Sequence, residues 1–309
     1  MQQITLRQLR YFDALARHSH FGRAATACAI SQPALSMQIK ELEEALGTVL
    51  IERAVRQVRL TRCGEEMAAR VRDILRSVDE LGDFARASQG RLAGRLRIGM
   101  IPTIAPYLLP SVMGTLSRLH PELDVHVREA MTQRLIDELA DGRIDTAILA
   151  LPVAEPSLTE VPLFSERFLL VQPKGDHKPP PAAEALREMR LLLLEEGHCF
   201  RDQALSFCSA HASGPRELLD ASSLSTLVQM VSAGMGVTLI PEMAVAVETR
   251  SATVAVTPFN GPQPSRTIGM IWRRTSPLAG QLLQLSEVIA RSAEHLRLKQ
   301  RAIPTGRQP

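Results

Sequence analysis

Cysteine and long apolar runs are both scarce in this sequence. The four cysteines, Cys28, Cys63, Cys199 and Cys208, are too few for a disulfide scaffold. They form neither a CxxC motif nor a Cys/His cluster, so we expect no structural metal and no cofactor. No apolar segment approaches the roughly 18 residues that a membrane span needs. The first residues predict a helix rather than a secretory signal, which favours a cytoplasmic protein without membrane contact.

Length and charge indicate several domains, one of which is basic. A chain of 309 residues, 45% hydrophobic and 22% charged, is typical of a globular protein with two or more domains. Residues 1–62 contain nine Lys and Arg against five Asp and Glu, whereas the remainder contains 27 against 28. A basic head on a nearly neutral body favours a polyanion as partner of the head.

The pattern of the head is that of a winged helix-turn-helix. Apolar residues at helical spacing predict one helix over residues 5–18 and another over 21–28. The segment SQPALSMQIKELEEALG (31–47) predicts a third, which begins after an N-cap serine and ends at Gly47. The following VLIERAVRQVRLT (49–61) predicts a β-hairpin wing. Such an arrangement can place the start of the third helix in a DNA major groove.

The third helix begins with small polar side chains, which can contact the edges of DNA bases. A lysine further along the helix can reach a phosphate of the DNA backbone. Four arginines are spaced three apart along the wing, but a strand alternates its side chains, so not all can face DNA. We favour Arg53 and leave Arg56, Arg59 and Arg62 open. The predicted DNA contacts are Ser31, Gln32, Pro33, Ser36, Lys40 and Arg53. A three-helix domain that binds protein is the alternative for this pattern.

A heptad pattern follows the head. Apolar residues alternate spacings of four and three from Met67 to Ala85, as in the seam of a coiled coil. We therefore predict that residues 63–93 form a dimerising linker helix that ends in the hinge SQGRLAG (88–94). The alternative is a helix that packs on its own domain.

The rest of the chain alternates strands with helices, which predicts an α/β fold with parallel packing. The first run has strands at 96–100, 124–130 and 146–151 and helices at 105–119 and 133–141. The second has strands at 161–172, 191–195, 236–241 and 266–272 and helices at 200–211, 223–233 and 277–298.

Two cysteines lie nine residues apart in LLLLEEGHCFRDQALSFCSAH (191–211). Cys199 follows a Gly-His turn, opens a helical pattern and has Arg201 nearby, which is a setting that favours a reactive thiolate. Cys208 falls on the apolar face of the same helix. From the residues alone, two buried structural cysteines are the more common explanation of such a pair.

The spacing of these cysteines has a geometric consequence. Along one continuous helix, nine residues rise about 13 Å and turn about 900°, which places Cys199 and Cys208 on opposite faces. A disulfide needs Cα atoms roughly 5.5–6 Å apart. The two sulfurs can therefore bond only if the helix unwinds, so oxidation would become a conformational signal.

These motifs resemble those of LysR-type transcriptional regulators. The segment AATACAISQPALSMQIKELEEALGTVLIERAVRQVRLTRCGEEM (24–67) is similar to the family's winged helix-turn-helix. The two-cysteine segment, IPTIAPYLLP (101–110), VPLF (161–164) and SRTIGMIW (265–272) are similar to the members that sense hydrogen peroxide. The resemblance covers about residues 4–290.

The resemblance implies a winged helix-turn-helix (1–62), the linker (63–93), a two-lobed effector domain of the periplasmic-binding-protein type (94–299) and a tail (300–309). It implies that Cys199 is the peroxidatic cysteine and Cys208 the resolving one, in a site between the lobes. The neighbours expected to hold the peroxide or tune the site are Thr103, Thr132, Gly197, His198, Arg201 and Arg266.

The implied function is that of a regulator and not of an enzyme. Its expected partners are promoter DNA, further copies of the chain in a dimer or a tetramer, hydrogen peroxide, a thiol reductant such as glutaredoxin or thioredoxin, and RNA polymerase. The main alternative is a regulator that binds a small anionic metabolite between the lobes, with structural cysteines. A thiol peroxidase is disfavoured by the DNA-binding head, and an extracytoplasmic solute-binding protein by the missing signal peptide.

Overall fold

The chain divides into two units between Ala85 and Arg86. The computed structural model describes residues 4–53, 58–87, 92–175, 182, 185–186, 189–211 and 218–302. Within these residues, no helix is both long enough and apolar enough to cross a membrane.

The first unit is the predicted winged helix-turn-helix followed by a long helix. Its elements are α1 Leu6–His18, α2 Phe21–Ala27, α3 Gln32–Leu46, β1 Ile51–Arg53, β2 Val58–Leu60 and α4 Arg62–Ala87. Strands β1 and β2 pair in antiparallel fashion, with Ile51 opposite Leu60. Residues 54–57, which connect the two strands in the sequence, lie outside the described residues.

Local sequence signals explain where α3 begins and ends. The Ser31 hydroxyl accepts a hydrogen bond from the backbone N–H of Ala34 at 3.3 Å, and Gly47 ends the helix with a positive φ of 67°. The Glu43 carboxylate of α3 accepts hydrogen bonds from the N–H groups of Leu50 and Ile51, at 2.8 and 3.1 Å. The wing is thereby fixed to α3. The largest fully buried side chains of this unit's core are Phe12, Leu15, Leu35, Ile39, Leu42 and Leu50.

The linker helix α4 is confirmed as a helix over residues 62–87, shorter than the predicted linker and hinge segment of 63–93. Residues 88–91 of the predicted hinge lie outside the described residues. Val71 is buried in the core of the first unit, whereas Ile74, Leu81 and Phe84 are 46%, 69% and 69% exposed. Pairing of this apolar surface with a second copy of the chain stays a prediction.

The second unit is built on one mixed sheet with the strand order β4-β3-β5-β11-β6-β9-β7-β8, and β10 pairs with β6. The strands are β3 Gly94–Met100, β4 Leu123–Glu129, β5 Thr146–Leu151, β6 Leu158–Pro173, β7 Leu191–Leu194, β8 Leu218–Ala221, β9 Val237–Pro241, β10 Val254–Thr257 and β11 Ser265–Arg273. The helices are α5 Ala105–Leu119, α6 Thr132–Ala140, α7 Cys199–His211, α8 Leu224–Ser232, α9 Val245–Glu248 and α10 Ala279–Ala302, with a 3-10 turn at Glu242–Ala244.

Two separate cores make this unit two-lobed, as predicted. Lobe I contains β3, β4, β5, α5, α6 and α10, and lobe II contains β7 to β10 and α7 to α9. Strand β6 runs through both lobes, because residues 158–167 pair with β11 and residues 168–171 pair with β9. The lobes also meet where Tyr107 of α5 donates a hydrogen bond to Glu248 of α9 at 2.7 Å.

The prediction of parallel packing was only partly right. Strand β3 is parallel to β4 and β5, and β7 is parallel to β8 and β9. Strand β11, however, is antiparallel to both β5 and β6, and β6 is antiparallel to β9. The chain crosses between the lobes on β6 and returns to lobe I on β11, so these two long strands run in opposite directions. The short strands β8 and β10 were not predicted.

Candidate functional site

A small cavity lies between the lobes where three chain segments meet. Residues 101–103 follow β3, residues 131–132 begin α6, and residues 197–200 lead from β7 into α7. Strand ends and helix N-termini therefore converge here, as expected for a site in an α/β fold. Five predicted site residues line the cavity together: Thr103, Thr132, Gly197, His198 and Cys199.

The cavity is small. The space open to the centre of a water-sized molecule is about 10 Å³, which is close to the minimum for holding one water. Pockets for metabolites and drug-sized ligands are larger, roughly 300–1,000 Å³. The cavity thus suits a very small polar molecule.

Thr103 is held by the buried side chain of Arg266. Arg266 donates one hydrogen bond to the Thr103 hydroxyl oxygen at 2.8 Å and another to its backbone oxygen at 3.0 Å. Because the hydroxyl oxygen accepts from arginine, its own proton remains available to donate. Arg266 also pairs with Glu166 at 2.8 Å, and both charges are buried. The guanidinium lies 5.5 Å from the centroid of the Phe200 ring.

Thr132 contributes an unpartnered hydroxyl. It is the first residue of α6, and its Oγ1 atom is buried with no hydrogen-bond partner among the described residues. A buried hydroxyl left in this state costs about 1–3 kcal/mol. The arrangement therefore favours a guest that can hydrogen bond to Thr132.

Cys199 is the first residue of α7 and is half-buried. The N-terminus of a helix favours negative charge, because its free N–H groups and the helix dipole point there. The next residue, Phe200, is 1% exposed and packs against Phe168 with ring centroids 4.7 Å apart. Cys199 also packs against the core of lobe I, so the thiol lies at the boundary between the lobes.

His198 and Arg201, the polar neighbours of Cys199 along the chain, differ in their charge and surroundings. His198 is buried, and this burial lowers the pKa of its imidazole, so the ring is neutral at pH 7. Arg201 donates to the backbone oxygen of Leu194 at 2.7 Å and forms an ion pair with Asp220. It therefore anchors α7 to the ends of β7 and β8.

Helix α7 is continuous from Cys199 to His211, so it includes Cys208 as predicted. The side chain of Cys208 lies outside the described residues. Over nine residues the helix rises about 13 Å, more than twice the Cα separation of a disulfide. A bond between these cysteines requires α7 to unwind.

Gly197 precedes the helix with a φ of +93°, which favours glycine. A Cβ atom at this position would lie 2.8 Å from the sulfur of Met131. Met131 belongs to lobe I and was missed by sequence reasoning, since its apolar side chain carries no signal of a binding role.

Four of the six predicted DNA contacts lie at the start of α3, whereas Lys40 lies further along this helix and Arg53 ends β1. Ser31, Gln32, Pro33 and Lys40 are exposed, and Ser36 is half-buried. Lys40 pairs with Glu44 at 3.6 Å, and the side chain of Arg53 lies outside the described residues. Met37 was missed, although it is 56% exposed on the same helix, where an apolar side chain can contact a thymine methyl group.

Among the described residues, no group of three or more His, Cys, Asp or Glu side chains is placed to hold a metal ion.

The fold and the site define a DNA-binding regulator with a two-lobed effector domain. Residues 6–65 match the family described as "Bacterial regulatory helix-turn-helix protein, lysR family". Residues 89–294 match the "LysR substrate binding domain". The chain therefore belongs to the LysR family of transcriptional regulators.

Its relatives within this family include OxyR. The chain is 41% identical over 290 residues to the DNA-binding transcriptional dual regulator OxyR of Escherichia coli K12, covering 93% of this chain and 95% of the relative. It is 44% identical over 301 residues to a probable hydrogen peroxide-inducible genes activator of Streptomyces viridosporus, covering 96% of each.

Two solved OxyR structures are similar over nearly the full length. A cysteine-to-serine mutant from Corynebacterium glutamicum with hydrogen peroxide bound has a TM-score of 0.69 and 34% identity, and covers 99% of this chain and 98% of its own. A full-length cysteine-to-aspartate mutant from Pseudomonas aeruginosa has a TM-score of 0.73 and 37% identity, covering 94% and 95%.

We predict that Gly197→Ala lowers the free energy of unfolding of the effector unit by about 1–3 kcal/mol, because alanine disfavours the positive φ. Gly261→Ala is the matched control, since Gly261 has a φ of +99° and no atom within 4 Å of an added Cβ. We expect the two variants to lose similar amounts of free energy of unfolding, because the flexible end of the Met131 side chain can move away from the added methyl group at residue 197. Urea unfolding followed by fluorescence of the single tryptophan, the buried Trp272, measures both. A much larger loss in Gly197→Ala would mean that Met131 is rigidly held.

The lowered pKa of His198 predicts a dependence of stability on pH. As pH falls below about 6.5, the unfolded state binds a proton that the folded state does not, so stability decreases. The effect ends below the lower pKa of the folded state. We expect His198→Gln to lose less stability than wild type between about pH 7.5 and 5.5 in the same fluorescence assay. His295→Gln, at an exposed position, is the control and should follow wild type. Equal slopes for all three proteins would show that His198 is not buried in its neutral form.

Proposed function

We propose that this protein is a transcription regulator that senses hydrogen peroxide through Cys199 and Cys208. The observation that carries the proposal is the placement of the Cys199 thiol at a helix N-terminus, on a cavity with two threonine hydroxyls and room for a very small molecule. The relatives described as hydrogen peroxide-inducible genes activators, and the OxyR structure with hydrogen peroxide bound, support it.

Peroxide binding uses the two threonines. The proton of the Thr103 hydroxyl, left free by Arg266, donates to one peroxide oxygen. The unpartnered Thr132 hydroxyl exchanges a hydrogen bond with the other oxygen. The backbone at Gly197 lines the cavity beside these hydroxyls. These contacts hold the O–O bond beside the sulfur, which lowers the barrier to attack.

The chemistry takes two balanced steps. The Cys199 thiolate attacks the nearer oxygen, the O–O bond breaks, sulfur is oxidised to a sulfenic acid, and hydroxide leaves and is protonated to water. The neutral ring of His198 can donate a hydrogen bond to this leaving oxygen. The Cys208 thiol then condenses with the sulfenic acid, which forms the disulfide and releases a second water.

The second step requires α7 to unwind and so changes the effector domain. The interactions at risk are those at the start of the helix: Phe200 against Phe168, and Arg201 with Leu194 and Asp220. Their loss would alter the surface of lobe II and the boundary with lobe I. We propose that this alters how effector domains pair, which repositions the DNA-binding heads and changes transcription.

The further partners follow from this function. The exposed apolar residues of α4, which include Leu81 and Phe84, pair with a second copy of the chain, and dimers associate into tetramers. The heads bind promoter half-sites, and the regulator acts on RNA polymerase. Glutaredoxin or thioredoxin resets the disulfide by thiol exchange in the cytoplasm. The protein consumes one peroxide per switching event and is a sensor, not an enzyme.

The metabolite-binding alternative is disfavoured by the size of the cavity. About 10 Å³ around Thr103, Thr132 and Cys199 is far below the roughly 300 Å³ at the lower end for small-molecule sites.

We expect hydrogen peroxide to produce a disulfide between Cys199 and Cys208, detected by non-reducing peptide mapping of the full chain. Cys199→Ser abolishes it, and Cys208→Ser leaves a sulfenic acid on Cys199 that dimedone traps. Cys63→Ser is the control, because Cys63 is an exposed thiol in the first unit and should not change the result. Unreacted Cys199 after treatment of the wild type would refute the proposal.

Replacing Thr132 by valine tests the binding of peroxide. The loss of one hydrogen bond to the developing charge should slow oxidation of Cys199 about 10- to 100-fold, without lowering stability, because an unpartnered hydroxyl is removed. Thr146→Val is the control: Thr146 is buried, donates to the backbone oxygen of Ile271 at 2.8 Å and does not line the cavity. It should lose stability and keep the wild-type rate. The rate of Cys199 oxidation is measured by stopped-flow detection of thiol loss. Oxidation of Thr132→Val at the wild-type rate would exclude the Thr132 hydroxyl from the site.

A further inference from the structure

The mouth of the cavity is formed by two residues that face each other across the lobes. Most lining residues are buried or half-buried, but Met131 is 37% exposed and Gly197 is also exposed. Met131 belongs to lobe I, and Gly197 belongs to the turn that leads into α7 of lobe II. These two residues therefore lie between the cavity and the solvent.

The Met131 thioether occupies the space that residue 197 leaves by having no side chain. A Cβ atom at Gly197 would lie 2.8 Å from the Met131 sulfur and 3.8 Å from its terminal methyl carbon. Glycine at this position is favoured by its positive φ, and its small size also makes room for the methionine. The thioether thus lies across the mouth.

Methionine is an unusual choice for its place in the helix. Met131 is the N-cap of α6 and makes no side-chain cap hydrogen bond. Ser, Thr, Asp or Asn at an N-cap stabilises a helix by about 1 kcal/mol relative to an apolar residue. The chain forgoes this stabilisation, which indicates that the methionine side chain serves another purpose.

We propose that Met131 is a lid that selects hydroperoxides by size, a role that rests on the proposed function of the site. Methionine suits a lid, because it is apolar, has three rotatable bonds, and competes only weakly for the threonine hydroxyls. Hydrogen peroxide, which has no carbon substituent, passes it. The carbon substituent of an alkyl hydroperoxide needs the space at the mouth that the thioether occupies, so such compounds react slowly.

The test compares hydrogen peroxide with tert-butyl hydroperoxide on the reduced full chain, by the rate of Cys199 oxidation. In Met131→Ala the preference for hydrogen peroxide over the bulkier compound should fall by about 10-fold or more, the effect of removing a few methylene-sized groups from a pocket. Met131→Leu is the matched control. It keeps the bulk without sulfur and should keep the preference within about 3-fold. Trp272 fluorescence shows that each variant is folded.

An unchanged preference in Met131→Ala would overturn the lid. If Met131→Leu lost the preference for hydrogen peroxide as fully as Met131→Ala, selection by size would be overturned, because a side chain of similar bulk would then not be sufficient for the preference. The rates of alkylation of Cys199 by iodoacetamide and by the larger N-ethylmaleimide give a second readout that needs no peroxide chemistry. If wild-type Cys199 fails to react with hydrogen peroxide, the proposed function fails. The lid is then still judged by whether Met131→Ala, and not Met131→Leu, favours the maleimide.

Discussion

The buried ion pair of Arg266 and Glu166 is the interaction that organises the site and ties it to both lobes of the effector domain. It joins strand β11 to strand β6, which crosses both lobes. From it, Arg266 reaches Thr103 in lobe I and lies near the Phe200 ring in lobe II. Two buried charges are stable only with good geometry and satisfied hydrogen bonds, and removing either partner is costly. The pair therefore fixes the orientation of the Thr103 hydroxyl beside the proposed site of reaction.

Helix α7 is the part of the site that the proposed disulfide would change. Its start is held by the packing of Phe200 and by the contacts of Arg201 with Leu194 and Asp220, and these interactions stabilise the helical form. The proposed disulfide cannot form while the helix is intact, because the cysteines are about 13 Å apart along it. Oxidation and unwinding are thus coupled by covalent geometry. A rigid ion pair on one side and a breakable helix on the other are what a two-state sensor needs.

The site also illustrates how a small cavity achieves selectivity with few polar groups. In the proposed mechanism Thr103 and Thr132 supply the hydrogen bonds to peroxide, and Met131 supplies the size limit. The helix N-terminus beside Cys199 supplies a favourable field without a mobile cation. The neutral ring of His198 and the paired charge of Arg201 are therefore compatible with the reactivity proposed for Cys199.

The sequence by itself determined the features that depend on residues close together along the chain. Periodicity and caps predicted the three helices of the head, with Ser31 and Gly47 as the ends of α3, and placed Cys199 at the start of a helix that contains Cys208. Resemblance added Thr103 and Thr132 to the site. Only the tertiary structure decided which distant groups meet: Glu166 lies 100 residues from its partner Arg266, and Met131 meets Gly197 across the lobes. The antiparallel course of β6 and β11 and the neutral state of His198 likewise arise from contact and burial, which local patterns do not encode.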